Sequence, residues 1–128
     1  MKLLTTAIML LFSITGFSQA DITGEVAAAL KKGDAAAVAS RMMPQVELNL
    51  NGQDNTLSKA DAQKALAAFF RDHAVTNFSI KHQGTSKLDD QYRIGDMTTQ
   101  NGNFRVTFFM KKSPGAMLIR QLKIEPAE

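Results

Sequence analysis

The stretch from residue 90 to residue 125 constrains the fold of this 128-residue protein more than any other. It holds three runs rich in β-branched and aromatic residues, separated by the dipeptide Asn101-Gly102 and by a Ser-Pro-Gly turn between Lys112 and Ala116. Asn-Gly is the strongest short signal for a β-hairpin, because both turn positions require a positive φ. The stretch therefore predicts three antiparallel strands joined by two tight turns.

The first turn also predicts which side chains share a face of the sheet. A two-residue loop at Asn101-Gly102 pairs Met97 with Val106 and Gly95 with Phe108, and faces alternate along each strand. In the last strand, burial of apolar residues selects the register. We therefore predict that one face packs against helices and carries Gly95, Met97, Phe104, Val106, Phe108, Met110, Leu118, Arg120, Leu122 and Ile124.

Arg120 is the charged exception on this predicted core face. In one interpretation its methylenes lie on the apolar face and its guanidinium reaches the rim. In the other it forms the floor of a pocket that binds an anion, since an arginine fork suits carboxylate or phosphate. The residues predicted to line such a pocket are Arg120, His82, Phe70, Phe78 and Phe108.

The opposite face of the sheet is predicted to point away from the helices. In the same register it carries an apolar row, Ile94–Phe109–Ile119, with Arg105 and Lys123 nearby. A contiguous apolar row with a polar rim is typical of a contact surface, and a twofold contact would bring this row against its copy. The alternative is an ordinary solvated sheet face with some apolar content.

The first twenty residues have the pattern of a secretory signal peptide. Lys2 precedes a short apolar run, and Ser18-Gln19-Ala20 supplies small residues at the spacing of a cleavage site before Asp21. The run is too short to span a bilayer, and no cysteine stands near the cut to carry a lipid anchor. We expect residues 1–20 to be removed and residues 21–128 to form one domain in the periplasm or outside the cell.

Composition narrows the function classes for this expected domain. It has 14 basic and 12 acidic residues scattered along the sequence, which argues against nucleic-acid binding. The sequence has no cysteine, so the protein has neither disulfides nor thiol chemistry, and an apolar core must stabilise the exported domain.

N-terminal to residue 90, the spacing of apolar residues predicts three helices and three strands. Gly33 ends the first helix, Asp34 caps a short second helix, and Ser58 caps the third. The third helix buries one stripe: Ala62, Leu66, Phe69, Phe70 and His73. Alternation predicts strands over 46–50, 55–57 and 75–83, with Phe78, Ile80 and His82 on one face.

This order predicts an α+β fold with N-terminal helices packed on one face of a curved antiparallel sheet. It resembles the nuclear-transport-factor-2-like cone. Ile94-Gly95, Asn103-Phe-Arg-Val106 and the run 118–125 also resemble a family of small exported bacterial domains of unknown function. The fold resemblance implies a twofold dimer through the back of the sheet, whereas the family resemblance implies no activity.

We therefore predict a non-catalytic exported binding or interaction domain, with a small apolar or anionic ligand in the cone or a partner on the outer face. The alternative is a small isomerase, dehydratase or hydrolase that uses His82 or an aspartate such as Asp61 or Asp72 inside the cone. No cofactor is predicted, because phosphate-loop motifs are missing and the histidines lack metal-ligand spacing.

Overall fold

The protein was analysed as a computed structural model, which describes residues 21–87 and 89–127. The predicted signal peptide, residues 1–20, lies outside the described residues. The elements, in sequence order, are α1 (Thr23–Lys32), α2 (Ala35–Ala39), β1 (Met42–Leu50), β2 (Gln53–Ser58), α3 (Lys59–Asp72), β3 (Val75–Thr85), β4 (Gln91–Thr99), β5 (Gly102–Ser113) and β6 (Ala116–Pro126). None of the helices in these described ranges is long and apolar enough to cross a bilayer.

The predicted helix signals are confirmed. Gly33 adopts a left-handed conformation after α1, with φ of 66°, and its N–H and that of the next residue close the last turn. Asp34 accepts a hydrogen bond from the Ala37 N–H, and Ser58 accepts one from the Asp61 N–H. Gly33 and Asp34 thus separate α1 from α2, and Ser58 marks the change from β2 to α3.

The sheet has six strands in the order β2-β1-β6-β5-β4-β3. All neighbouring pairs but one are antiparallel as predicted; the exception is β1, which runs parallel to β6, so the sheet is mixed. The long segment between β1 and β6 makes this parallel pairing sterically simple, because it includes α3 and several strands. The prediction of an α+β fold with helices on one side of a curved sheet is confirmed.

The hairpin between β4 and β5 turns slightly earlier than predicted. Its loop is Gln100-Asn101, and the Thr99 hydroxyl both accepts from the Asn101 N–H and donates to the Gly102 carbonyl. Gly102 then takes a φ of 116° at the start of β5. Met97 consequently pairs with Phe104 rather than Val106. Because side chains alternate with a period of two, this change of partner by two residues leaves every predicted face of β4 and β5 unchanged.

The prediction for β6 is wrong over its first half. Phe109 pairs with Gln121 and Met110 pairs with Ile119, so Arg120 is an extra residue in a β-bulge. A bulge changes the register by one residue, and this exchanges the two faces. Ile119 is therefore fully buried in the core, and Leu118, the partner of Lys111, lies on the outer face.

The core lies between the helices and one face of the sheet. Helix α1 packs against β3, and α3 packs against α2 and β1. Their apolar stripes meet the inward-facing sheet residues, which include Met42, Phe78, Met97, Phe104, Phe108, Met110, Ile119, Leu122 and Ile124. Gly95 makes room on this face, because the Phe78 ring covers it.

Candidate functional site

Arg120 lies on the outer face of the sheet and not on the predicted core face. The bulge in β6 lifts its side chain away from the core, and β1 is also bulged between Met42 and Glu47, where it passes Arg120. The Arg120 Nε donates to the Asp90 carboxylate at 2.7 Å, and Nη1 lies 3.9 Å from Glu47. The Asp90 side chain is only 4% exposed, whereas the Arg120 side chain is 30% exposed. The Arg120 guanidinium is therefore held on the sheet surface by the buried Asp90 carboxylate.

Two aromatic rings extend this arrangement across the outer face. The Arg120 Cζ lies 5.6 Å from the centroid of the Phe109 ring, a cation–π distance. The ring of Tyr92, the cross-strand partner of Phe109, lies 6.0 Å from it at an angle of 49°. On its other side Tyr92 covers Gly84 of β3, so closely that a Cβ there would lie 2.6 Å from the Tyr92 hydroxyl. The stack Tyr92–Phe109–Arg120 is thus fixed at both ends.

The predicted pocket residues do not meet. Phe70, Phe78 and Phe108 are buried in the core on the helix side, whereas Arg120 lies on the opposite side of the sheet. His82 is also misplaced: a register shift in β3 between Ile80 and His82 pairs it with Ile94 and leaves it exposed. A cone with Arg120 and His82 in its wall is therefore wrong.

The residues named for the catalytic alternative are also outside the cone. His82 is on the outer face, and Asp61 and Asp72 are exposed on α3. Among the described residues, no cluster of three or more His, Cys, Asp or Glu side chains is arranged to hold a metal ion.

Four of the five predicted interface residues lie on the outer face. Ile94 and Phe109 are half-buried there, and Lys123 forms an ion pair with Glu125 at 3.3 Å. Arg105 is exposed on the same face. Ile119 is the exception, because it is in the core. We define the outer contact surface by Tyr92, Ile94, Phe109, Leu118 and Arg120.

A polar depression adjoins this surface at the β2 edge of the sheet. Its volume is about 300 Å³. Its lining contains both donors and acceptors, from Glu47, Asp54, Asn55, Thr56 and Gln121. Glu47 on β1 pairs with Gln121 on β6, and Gln121 pairs with Phe109 on β5. The depression and Phe109 therefore lie in one cross-strand row.

A second arginine, Arg93, lies on the helix side of β4 and was not among the predicted site residues. Its side chain is 7% exposed. Nε donates to the Thr23 hydroxyl at 2.8 Å, and Nη1 donates to the Tyr92 carbonyl at 2.9 Å. Nη2 lies 3.6 Å from the Asp21 carboxylate, which is 66% exposed. Strand alternation was a sufficient signal, because Arg93 stands two residues before the core residue Gly95.

Asp21 joins this arginine to the start of α1. Its Oδ1 accepts hydrogen bonds from the Thr23 hydroxyl at 2.6 Å and the Thr23 N–H at 2.9 Å. These two bonds lower the pKa of the Asp21 carboxyl below its ordinary value, and the nearby Arg93 charge lowers it further. These contacts therefore favour the ionised form of the Asp21 carboxyl.

Comparison with known proteins identifies the family. Residues 23–125 match the family model described as "Domain of unknown function (DUF4783)". A crystal structure of a DUF4783 family protein from Bacteroides ovatus is 33% identical, with a TM-score of 0.78 over 84% of this chain and 96% of that one. Another, from Bacteroides uniformis, is 30% identical, with a TM-score of 0.79 over 84% of this chain and 99% of that one.

The fold has a wider set of relatives. An NTF2-like protein of unknown function from Cytophaga hutchinsonii is 12% identical, with a TM-score of 0.61 over 88% of this chain and 93% of that one. No functionally curated protein matches the sequence. The fold is thus NTF2-like, and the chain belongs to the DUF4783 family of domains of unknown function.

Proposed function

We propose that this protein is a non-catalytic, exported interaction domain that associates with a second copy of itself through the outer contact surface. The observation that carries the proposal is the fixed stack of Tyr92, Phe109 and Arg120 on the side of the sheet that no helix covers among the described residues. Tyrosine, phenylalanine and arginine are enriched at protein interfaces, and tyrosine and arginine are prominent among the residues that supply most of the binding energy.

The stack is preorganised for binding. Gly84 holds Tyr92, and Asp90 holds Arg120, so little side-chain freedom remains to be lost on association. Side-chain ordering at an interface costs about 0.5–1.5 kcal/mol per flexible residue, and a fixed stack avoids much of that cost. This supports the interpretation that the Tyr92–Phe109–Arg120 stack contacts a partner, and not that it is an ordinary exposed apolar patch.

The charges around the row favour a copy of the same protein as the partner. Arg105 lies in register between Asp96 and Glu125, and Lys123 pairs with Glu125. Both signs are therefore interspersed on the same face. A twofold interface brings the same patch of two copies together, so a patch with both signs is complementary to itself.

The oligomeric state tests the proposal. We expect size-exclusion chromatography with light scattering to give a dimer at concentrations on the order of tens of micromolar. Phe109→Thr keeps a good strand former but removes the central ring, and it should shift the protein to monomer with an unchanged circular dichroism spectrum. Lys64→Thr, on exposed α3, is the matched control and should remain dimeric. A wild-type protein that is monomeric at these concentrations refutes the proposal.

Export is tested separately. Intact-mass measurement of the protein from the cell-envelope fraction should give a polypeptide that begins at Asp21, because the Ser18-Gln19-Ala20 pattern predicts a cut after Ala20. Recovery of the full-length protein from the cytoplasm contradicts export, and it leaves the dimer prediction intact.

A further inference from the structure

We infer that Arg93 and the first turn of α1 form a carboxylate-binding site, which the side chain of Asp21 occupies in this structure. The site lies on the helix side of β4, and the outer contact surface lies on the other side of the sheet. The inference therefore does not rest on the proposed dimer.

The cation of this site is enclosed, and its contacts are mostly neutral. The Arg93 guanidinium donates to the Thr23 hydroxyl, the Tyr92 carbonyl and, at 3.5 Å, the Gln91 amide oxygen. Among the residues that the structure describes, Nη2 has no acceptor within hydrogen-bond distance, and the nearest carboxylate is that of Asp21 at 3.6 Å. A buried cation without a buried counter-charge is unfavourable, so this site attracts an anion.

The start of α1 adds a second attraction at the same point. The Thr23 N–H is the first of the helix, where the helix dipole is positive, and it donates to Asp21 together with the Thr23 hydroxyl. The Asp21 side chain is 66% exposed. An anion from solvent therefore reaches the same donors when Asp21 turns away.

The geometry selects a carboxylate among anions. One oxygen of Asp21 takes both Thr23 donors, while the other faces Arg93 Nη2. A planar group with two oxygens bridges the helix start and the Arg93 Nη2 in this way, so that each oxygen faces a different donor. The external ligand is thus a carboxylate. It comes either from an acidic side chain or from the C-terminus of a polypeptide.

Removal of Asp21 tests the site. Asp21→Ala vacates it, whereas Asp21→Asn keeps the shape and removes the charge and serves as the matched control. We expect sodium formate, compared with sodium chloride at equal ionic strength, to raise the melting temperature of Asp21→Ala, with the stabilisation growing as the logarithm of the formate concentration above its Kd. The wild type should need roughly tenfold more formate, because its own carboxylate competes. Asp21→Asn should respond between the two, because a neutral amide competes with formate less strongly than a carboxylate does.

A direct measurement accompanies the melting curves. In Asp21→Ala, the NMR signal of the Arg93 Nε–H should move saturably as formate is added. Equal formate responses of Asp21→Ala and wild type, or an Arg93 signal that does not move, overturn the inference. Acetate and N-acetylglycinate, which mimic an aspartate side group and a peptide C-terminus, then distinguish the two sources. Tighter binding of either supports the site.

Discussion

The two faces of the sheet carry the same pair of residue types with opposite burial. On the helix side, the Arg93 cation is enclosed and its partner Asp21 faces solvent. On the outer side, the Asp90 carboxylate is enclosed and its partner Arg120 is half-exposed. Each pair thus exposes one charge to solvent: an anion at the edge of the helix layer and a cation on the outer face of the sheet.

The exposed member of each pair is the one that can meet a ligand. A half-exposed guanidinium stacked on Phe109 presents a flat cationic surface, which suits contact with a protein. An exposed carboxylate over a buried guanidinium is replaceable, since another carboxylate can take its position. Removing Arg120 leaves the buried Asp90 carboxylate without its partner, which is the costly change, whereas Arg93 keeps its neutral acceptors when Asp21 is removed.

The largest effect is expected from Arg120→Met. Methionine keeps much of the apolar stem but leaves the buried Asp90 carboxylate without its guanidinium, so the free energy of unfolding should fall by about 3 kcal/mol. Urea unfolding monitored by circular dichroism measures this. The double variant Arg120→Met with Asp90→Asn should recover part of the loss, because the buried group is then neutral. A loss of less than about 1 kcal/mol for the single variant is the magnitude of a surface pair and contradicts the contrast between the faces.

Two glycines sharpen the comparison. A Cβ at Gly95 on the core face would lie 2.5 Å from the Ser79 carbonyl oxygen and 2.7 Å from the Phe78 ring. A Cβ at Gly84 would come equally close only to the outer end of the Tyr92 side chain, with its hydroxyl at 2.6 Å. The Ser79 backbone cannot move aside, whereas the Tyr92 ring is a side chain that an added Cβ at Gly84 can displace.

Gly95→Ala should therefore destabilise the protein by about 2–3 kcal/mol, and Gly84→Ala by about 1 kcal/mol or less. Paired urea unfolding curves measure the difference. Gly84→Ala should also displace Tyr92 from Phe109, which a change in tyrosine fluorescence reports. Equal losses for the two variants contradict this difference between a backbone contact at Gly95 and a side-chain contact at Gly84.

Most of the fold was predictable because local signals determined it. The caps at Asp34 and Ser58 set helix boundaries, and alternation set the faces of β4 and β5. The error in the hairpin loop was harmless, because a shift in pairing by two residues preserves the face of every side group. Arg93 was predictable by the same rule, since no register shift separates it from Gly95.

Ile94 and Phe109 of the candidate site were predicted on the outer face, but the placement of Arg120 was not predictable, because it lies at a β-bulge. Arg120 and Ile119 lie at the register change in β6, and His82 follows the one in β3. A bulge inverts the faces beyond it, and its position depends on neighbouring strands. In β6 one of those neighbours is β1, whose parallel pairing has no local sequence signal. The wrong placements of Arg120 and His82 therefore share one physical cause.

The smallest expected effect is the pH dependence of the Asp21 contact. Hydrogen bonds from Thr23, with the charge of Arg93 nearby, lower the Asp21 pKa in the folded protein below its ordinary value of 3.8. The stabilisation is therefore present above that ordinary value and is lost as pH falls through the lower folded pKa. Wild type should unfold with a higher free energy than Asp21→Asn near neutral pH, and the two should converge in acid.

Comparison with Asp21→Asn isolates this one carboxylate, because every other acidic group titrates in both proteins. Urea unfolding from about pH 6 to about pH 2 measures the convergence. If the two stability curves stay parallel over this range, the Asp21 carboxylate does not interact with Thr23 and Arg93 in solution. Asp21 would then not be bound to Arg93 in solution, and the difference between this pair and the Asp90–Arg120 pair would be larger than the structure indicates.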